Sequence, residues 1–357
     1  MDVMRCMVSA HHFVKFLTII MTLIYVTAYR LMLGVTSLRG FIMFRTVAAV
    51  AASLTLAACG TSPATPTLST AYELPGNAVY PEGIGVDARN GDTYVGSFAD
   101  GTVYRAGADT SRAEVFLPAG ADGRKTANGV KVDRSGRLWV IDSGVGVSVY
   151  DTGSRALLAR FEVPGDAPRF VNDLDFGADG SAYLTDSVRN IVYKAVIGAG
   201  GELTVAYDLT TALGPRDPKV FELNGIVADP AGKFLIVVAM SAAELYRIDL
   251  TGGADPIRKV LLTGGDARHG DGLDLRDNTL WIVHNLDNTI SRWALTDNGA
   301  TATRTGEFHD PALNVPTTMV HSGERALIVS SQFDKGGPLG QTGTPGTFVV
   351  SAINGFQ

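Results

Sequence analysis

Asn128-Gly129-Val130-Lys131-Val132-Asp133-Arg134-Ser135-Gly136-Arg137-Leu138-Trp139-Val140-Ile141 reads as strand, tight turn, strand. Val130 and Val132 alternate with polar neighbours, Arg134-Ser135-Gly136 supplies turn chemistry, and Leu138–Ile141 is a continuous apolar run. The arrangement returns as Asp271-Gly272-Leu273-Asp274-Leu275, then Asp277-Asn278, then Leu280-Trp281-Ile282-Val283. Working outward from these two copies, six are found. The others begin Glu82-Gly83-Ile84-Gly85-Val86-Asp87, Asn172-Asp173-Leu174-Asp175-Phe176, Asn224-Gly225-Ile226-Val227-Ala228-Asp229 and Thr317-Thr318-Met319-Val320. Their turns, Arg89-Asn90-Gly91, Ala178-Asp179-Gly180, Pro230-Ala231-Gly232 and His321-Ser322-Gly323, stand at the same offset.

A repeat of roughly 45 residues holding several strands is the pattern of a propeller blade. The sequence therefore predicts an all-β protein: a six-bladed β-propeller with four antiparallel strands per blade around a central channel. A strand in residues 346–350 and another in 70–74 are expected to complete the last blade together. A seventh blade has no room in residues 60–80 or 335–357.

Composition agrees. The 357 residues are 46% hydrophobic and 18% charged, too apolar for a disordered chain. Gly, at 41, is in excess, as many tight turns require, and two Cys exclude a disulfide scaffold and a Cys-rich zinc module. The net charge of −6 gives no reason to expect a nucleic-acid partner.

Residues 1–58 read as targeting. Met43-Phe44-Arg45, an apolar run over 47–56 and Leu56-Ala57-Ala58-Cys59 form a secretory signal whose last four residues resemble a bacterial lipobox, with Cys59 as the lipidated residue. Upstream, residues 13–33 are apolar enough for a membrane helix, so residues 1–42 are either a mis-called start or an extra anchor. Residues 59–70, rich in Pro, Ser and Thr, are expected to be a flexible tether, with the propeller occupying 71–357. This places the protein outside the cytoplasm, lipid-anchored to a bacterial membrane. Of the 30 basic and 36 acidic side chains, residues 1–58 hold five and one, which leaves a net charge of −10 on the remainder.

The six inner strands begin with Glu82, Asn128, Asn172, Asn224, Asp271 and Thr317. In a propeller the first strand of each blade lines the channel, so residues of equal phase converge at one end. Two carboxylates and three amides there suit a hard cation such as Ca²⁺. The alternative is that Asn-Gly and Asp-Gly are turn residues entering a strand. That serves Asn128, Asn224 and Asp271 singly, but not Glu82. The second strand of each blade should return to the same mouth, bringing Ser97, Asp142, Asp186, His284 and Gln332. His284 is a candidate acid, base or substrate contact, although a hydrogen-bonded loop histidine is the simpler reading. Asp173, Asp175 and Asp274 read as supporting groups, and Trp139 and Trp281 as core.

At this point the chain resembles the SMP-30/gluconolactonase-like proteins and the related calcium-dependent phosphotriesterases and paraoxonases. The resemblance is carried by Pro81-Glu82-Gly83, Arg169-Phe170-Val171-Asn172-Asp173, Asn224-Gly225, Asp271-Gly272-Leu273 and Pro316-Thr317-Thr318, in order and at blade spacing over residues 72–355. It implies one divalent cation, Ca²⁺, held by Glu82, Asn172, Asn224 and Asp271, with Asp271 as the catalytic carboxylate. It also implies a substrate contact from Arg169, which stands one residue further from the asparagine than in the family pattern. Asn128 is an extra amide beside the site, read as a substrate contact.

A divalent ion there would polarise a lactone or ester carbonyl, with Asp271 activating water or attacking directly. No Gly-x-Ser-x-Gly elbow, phosphate loop or His-Glu-x-x-His motif is present. Two readings stand: a Ca²⁺-dependent hydrolase of a small lactone or ester, or a propeller that binds a ligand or partner protein, with its metal structural or lost.

Overall fold

The computed structural model describes residues 65–356, apart from 199, 200, 216, 218 and 341. The targeting segment, Cys59 and most of the expected tether lie outside the described residues. No helix among the described residues is long and apolar enough to cross a membrane.

Six sheets surround the channel. Blade 1 is β2 (Pro81–Val86), β3 (Thr93–Ser97), β4 (Val103–Ala106) and β5 (Glu114–Leu117). Blade 2 is β6 (Val130–Val132), β7 (Arg137–Asp142), β8 (Gly146–Asp151) and β9 (Leu157–Glu162). Blade 3 is β10 (Val171–Phe176), β11 (Ala182–Asp186), β12 (Ile191–Ala195) and β13 (Thr204–Asp208). Blade 4 is β14 (Leu223–Ala228), β15 (Phe234–Ala239), β16 (Glu244–Asp249) and β17 (Ile257–Lys259).

Blade 5 departs from the expected four strands. Besides β19 (Gly270–Arg276), β20 (Thr279–His284), β21 (Thr289–Thr296) and β22 (Thr301–His309), it gains β18 (Leu261–Thr263), which pairs parallel with β22. One residue after β17 leaves blade 4, the chain crosses to the outer edge of blade 5. Leu261 N–H there meets the Ala300 carbonyl.

Blade 6 closes the ring with strands from both chain ends: β23 (Pro316–Ser322), β24 (Arg325–Ser330), β25 (Val349–Asn354) and, outermost, β1 (Thr67–Glu73). The closing strands were expected at 346–350 and 70–74. β1 starts within the stretch read as tether, because Thr67, Leu68 and Ser69 pair with Asn354, Ile353 and Ala352.

The hairpin turns follow from sequence. Asp87 Oδ1 accepts from Arg89 N–H at 3.0 Å, and Asp133 Oδ1 from Ser135 N–H at 2.9 Å, so the aspartate at the strand end fixes the turn.

The core is six clusters, one in each gap between neighbouring blades. Ile84 and Val95 pack with Val329 and Phe348 between blades 1 and 6, and Trp139 and Phe161 with Leu174 and Leu184 between blades 2 and 3. A middle strand thus has apolar neighbours on both faces, which is why Phe234-Leu235-Ile236-Val237-Val238-Ala239 is buried throughout. Truncating such a residue to Ala costs roughly 2–5 kcal/mol.

Candidate metal centre and channel

The residues predicted to start the inner strands do come to one end of the channel, and β-bulges put them there. The register slips between Pro81 and Ile84, Val171 and Leu174, Leu223 and Ile226, Gly270 and Leu273, and Pro316 and Met319. In five blades, therefore, Glu82, Asn172, Asn224, Asp271 and Thr317 sit in the bulge, where a strand re-aims its side chain.

The glycines that follow are not turn residues. A Cβ on Gly83 would lie 2.2 Å from the Asn128 carbonyl oxygen, and one on Gly225 2.4 Å from that of Asp271. They let the neighbouring blade's backbone approach. Asp173 and Thr318 hold this position in blades 3 and 6.

Three blades brace the ring in the same manner. Asn172 Nδ2 donates to Ser187 Oγ at 2.9 Å, Asn224 Nδ2 to Met240 Sδ at 3.5 Å, and Asn285 Nδ2 to Asp271 Oδ2 at 2.7 Å. Each bracing residue stands one place beyond the end of its blade's second strand. Asn128 Nδ2 donates to Asn172 Oδ1 at 3.0 Å, so it positions the neighbouring ring residue. Thr317 Oγ1 donates to the Glu82 carbonyl at 2.7 Å.

This corrects the set expected from the second strands. Ser97, Asp142 and Asp186, the last residues of β3, β7 and β11, and Gln332, two residues beyond β24, latch loops instead. Ser97 Oγ donates to the Val79 carbonyl, Asp142 accepts from Lys125 N–H and Thr126 Oγ1, Asp186 accepts from Phe170 N–H, and Gln332 Oε1 accepts from Gly346 N–H.

His284 is held within blade 5. Ser291 Oγ lies 2.6 Å from its Nε2 and the Arg268 carbonyl 2.6 Å from its Nδ1. Trp293 Nε1–H donates to that same Ser291 Oγ, and burial lowers the imidazole's pKa, so neutral His284 accepts at Nε2 and donates at Nδ1. Arg169 also turns aside, its Nη1 donating to the Val163 carbonyl at 3.1 Å. Asn285, missed in the sequence, was visible only as the residue after His284. Asp173 was visible as the one acid at a position held by glycine in four other blades.

Burial raises four channel carboxylates, Asp175 and the three of the first ring. Burial, then Asp271 and Asp173, push Glu82 well above the usual carboxylate range. Burial raises Asp271 to about 7, against the hydrogen bond from Asn285 and with a further push from Asp173. Burial raises Asp173 to about 6, with Lys131 opposing. Asp271 Oδ1 and Asp173 Oδ2 are buried and have no hydrogen-bond partner. Such atoms in a cluster of like charges call for a cation.

The donors here are oxygens from Glu82, Asn172, Asn224, Asp271 and Asp173, a set that fits a hard divalent ion. Among the described residues no three His, Cys, Asp or Glu side chains form a metal group by themselves, so the two amides are part of the fit.

Three residues further along the inner strands lies a second charged ring: Lys131 on β6, Asp175 on β10 and Asp274 on β19. Asp175 Oδ2 accepts from Ala228 N–H at 2.7 Å, and Asp274 Oδ2 meets His321 Nδ1 at 2.5 Å. Burial pulls Lys131 down, but Asp173, Asp175 and Asp274 outweigh it and hold its pKa above the ordinary value. Trp139 and Trp281 are buried, as expected for core.

No protein-family model matches the chain. No curated protein matches it either. Solved structures do. A gluconolactonase from Xanthomonas campestris aligns with a TM-score of 0.58 at 18% identity, over 82% of this chain and 90% of its own. Regucalcin from Agrobacterium tumefaciens, a calcium-binding protein, aligns at 0.55 and 15%, over 80% and 95%. A luciferin-regenerating enzyme aligns at 0.59 and 12%, over 82% and 96%. In fold, the chain is a six-bladed β-propeller similar to those of these three solved structures.

Proposed function

We propose that the protein is a Ca²⁺-dependent hydrolase of small lactones or related esters, held outside the cytoplasm by a lipid on Cys59. The observation that carries this reading is the group of Glu82, Asp173 and Asp271 at the channel end, with two buried carboxylate oxygens lacking partners. Glu82, Asn172, Asn224 and Asp271 would hold the ion, with Asp173 alongside. When bound, Ca²⁺ supplies a Lewis acid for the substrate carbonyl.

The chain's own contribution centres on Asp271. Asn285 fixes one of its oxygens, which leaves Oδ1 to take a proton from an attacking water or to attack the carbonyl itself. The burial that raises Asp271 toward neutral pH suits a proton acceptor whose ionised form is maintained by a cation. Ser187 and Asn128 keep the Asn172 amide in place from either side.

The test is calorimetric titration of the chain with CaCl₂, followed by hydrolysis assays on a panel of lactones and aryl esters with wild type and Asp271→Asn. Ca²⁺ binding with turnover that D271N abolishes supports the reading. Absence of Ca²⁺ binding overturns it, and binding without turnover leaves a ligand-binding propeller. The anchor rests on Leu56-Ala57-Ala58-Cys59 and is tested by radiolabelled palmitate in cells expressing wild type or Cys59→Ser. Label lost in C59S supports it, and equal label in both overturns it.

A further inference from the structure

The mouth above the first ring is walled by aromatic and aliphatic side chains. Phe98 follows β3 directly, the place from which Ser187, Met240 and Asn285 reach the ring in blades 3 to 5. Its ring centroid lies 5.6 Å from that of Phe333 in blade 6 and 6.2 Å from that of Phe170, which precedes Asn172 by two residues. Phe170 in turn lies 4.7 Å from Phe221, three residues before Asn224. Blades 6, 1, 3 and 4 thus contribute one unbroken aromatic arc.

The arc faces solvent at its end: Phe221 is 46% exposed, and in blade 5 Leu286, next to Asn285, is 52% exposed. Exposed apolar groups continuous with a polar site mark where an apolar part of a ligand rests. Three polar groups that the sequence offered for reading a substrate are committed elsewhere, Arg169 to Val163, His284 within blade 5 and Asn128 to Asn172, which leaves the Ser143 hydroxyl, directly after β7, without a partner.

We infer that the substrate carries a bulky apolar group, an aryl ring or an alkyl chain, which lies on the Phe333–Phe98–Phe170–Phe221 arc while its carbonyl reaches the ring, and that polyhydroxylated sugar lactones are turned over poorly. This rests on the hydrolase reading. Each methylene that leaves water for the arc contributes about 0.8 kcal/mol, a factor of about four.

The experiment measures kcat/KM at saturating Ca²⁺ for γ-lactones with side chains from methyl to heptyl, and for glucono-δ-lactone. The expected result is a rise of up to about fourfold per methylene, with glucono-δ-lactone below the whole series. F221A and F98A should flatten the slope, whereas V205A, on the outer strand β13, should leave it unchanged. A flat series, faster turnover of glucono-δ-lactone, or a V205A effect equal to that of F221A overturns the inference. If no lactone is turned over, the hydrolase reading fails. The inference is then decided by calorimetry with unreactive γ-alkyl lactams: affinity rising with chain length supports it, and constant affinity overturns it.

Discussion

The two charged rings of the channel lie three residues apart on the same inner strands and solve one problem in different ways. The second ring contains its own cation, Lys131, whose charge acts on Asp175 and Asp274 and also on Asp173 of the first ring, and each of the two second-ring carboxylates also meets a hydrogen-bonding group. The first ring gathers Glu82, Asp173 and Asp271 with amides and a threonine, and no basic side chain. Its carboxylates raise one another, and two of its oxygens are unpartnered. Equal spacing with unequal charge provision separates a ring that holds a basic side chain from one that holds none.

That contrast is broken most directly at Asp271. In the Ca²⁺-loaded protein, D271N should lower kcat/KM by at least about 100-fold and weaken Ca²⁺ binding. Without metal, thermal denaturation at pH 8 should show D271N more stable than wild type, because a like charge has been removed. A metal-free D271N that melts below wild type would mean that Asp271 is balanced within the protein, as Asp274 is.

The pH dependence tests the same point. The folded-state pKa of Asp271, about 7, lies above its ordinary value of 3.8. The stability it contributes is therefore present below about pH 4 and lost as pH rises through 7. The Tm of the metal-free protein should fall over that window, and the Ca²⁺-induced rise in Tm should be larger at pH 8 than at pH 5.

Lys131→Met should make the second ring resemble the first. Loss of about 2 kcal/mol is expected at pH 8, and less at pH 5, by denaturant unfolding. Next is Asn285→Ala, which removes a brace while keeping every donor oxygen. It should weaken Ca²⁺ binding about 10-fold or more, as supporting hydrogen bonds to metal ligands do. The smallest functional effect is expected for His284→Ala: stability falls by about 1–3 kcal/mol, while kcat/KM stays within about twofold. A pH–rate profile that changes in H284A would return His284 to the site.

The convergence that was legible in the sequence was carried by phase. Glu82, Asn172, Asn224 and Asp271 stand at one offset in repeats of one length, so their meeting at the axis followed once the propeller was recognised. What escaped depended on register. The bulge sets Asp271 and Gly272 together opposite Val283, between the Gly270–His284 and Leu273–Ile282 pairs, so strand register does not lead from Asp271 to Asn285, whose side chain reaches it from beyond the end of β20. The parallel strand β18 escaped because Leu261-Leu262-Thr263 is too short to announce itself beside β17. The contact of Arg169 with Val163 was not legible because which neighbour a long side chain reaches is decided by the loop around it.

The pairing of β1 with β25 has a temporal consequence. Ser69 Oγ meets the Ala352 carbonyl, and Leu74 N–H the Phe348 carbonyl, so the toroid is fastened by segments made at opposite ends of synthesis. Until residues 349–354 emerge, β24 offers an open edge and β1 has nothing to grip. Contacts of such long sequence separation form late and slowly. A chain that cannot shut until its last strand is delivered keeps its ring open throughout its translation.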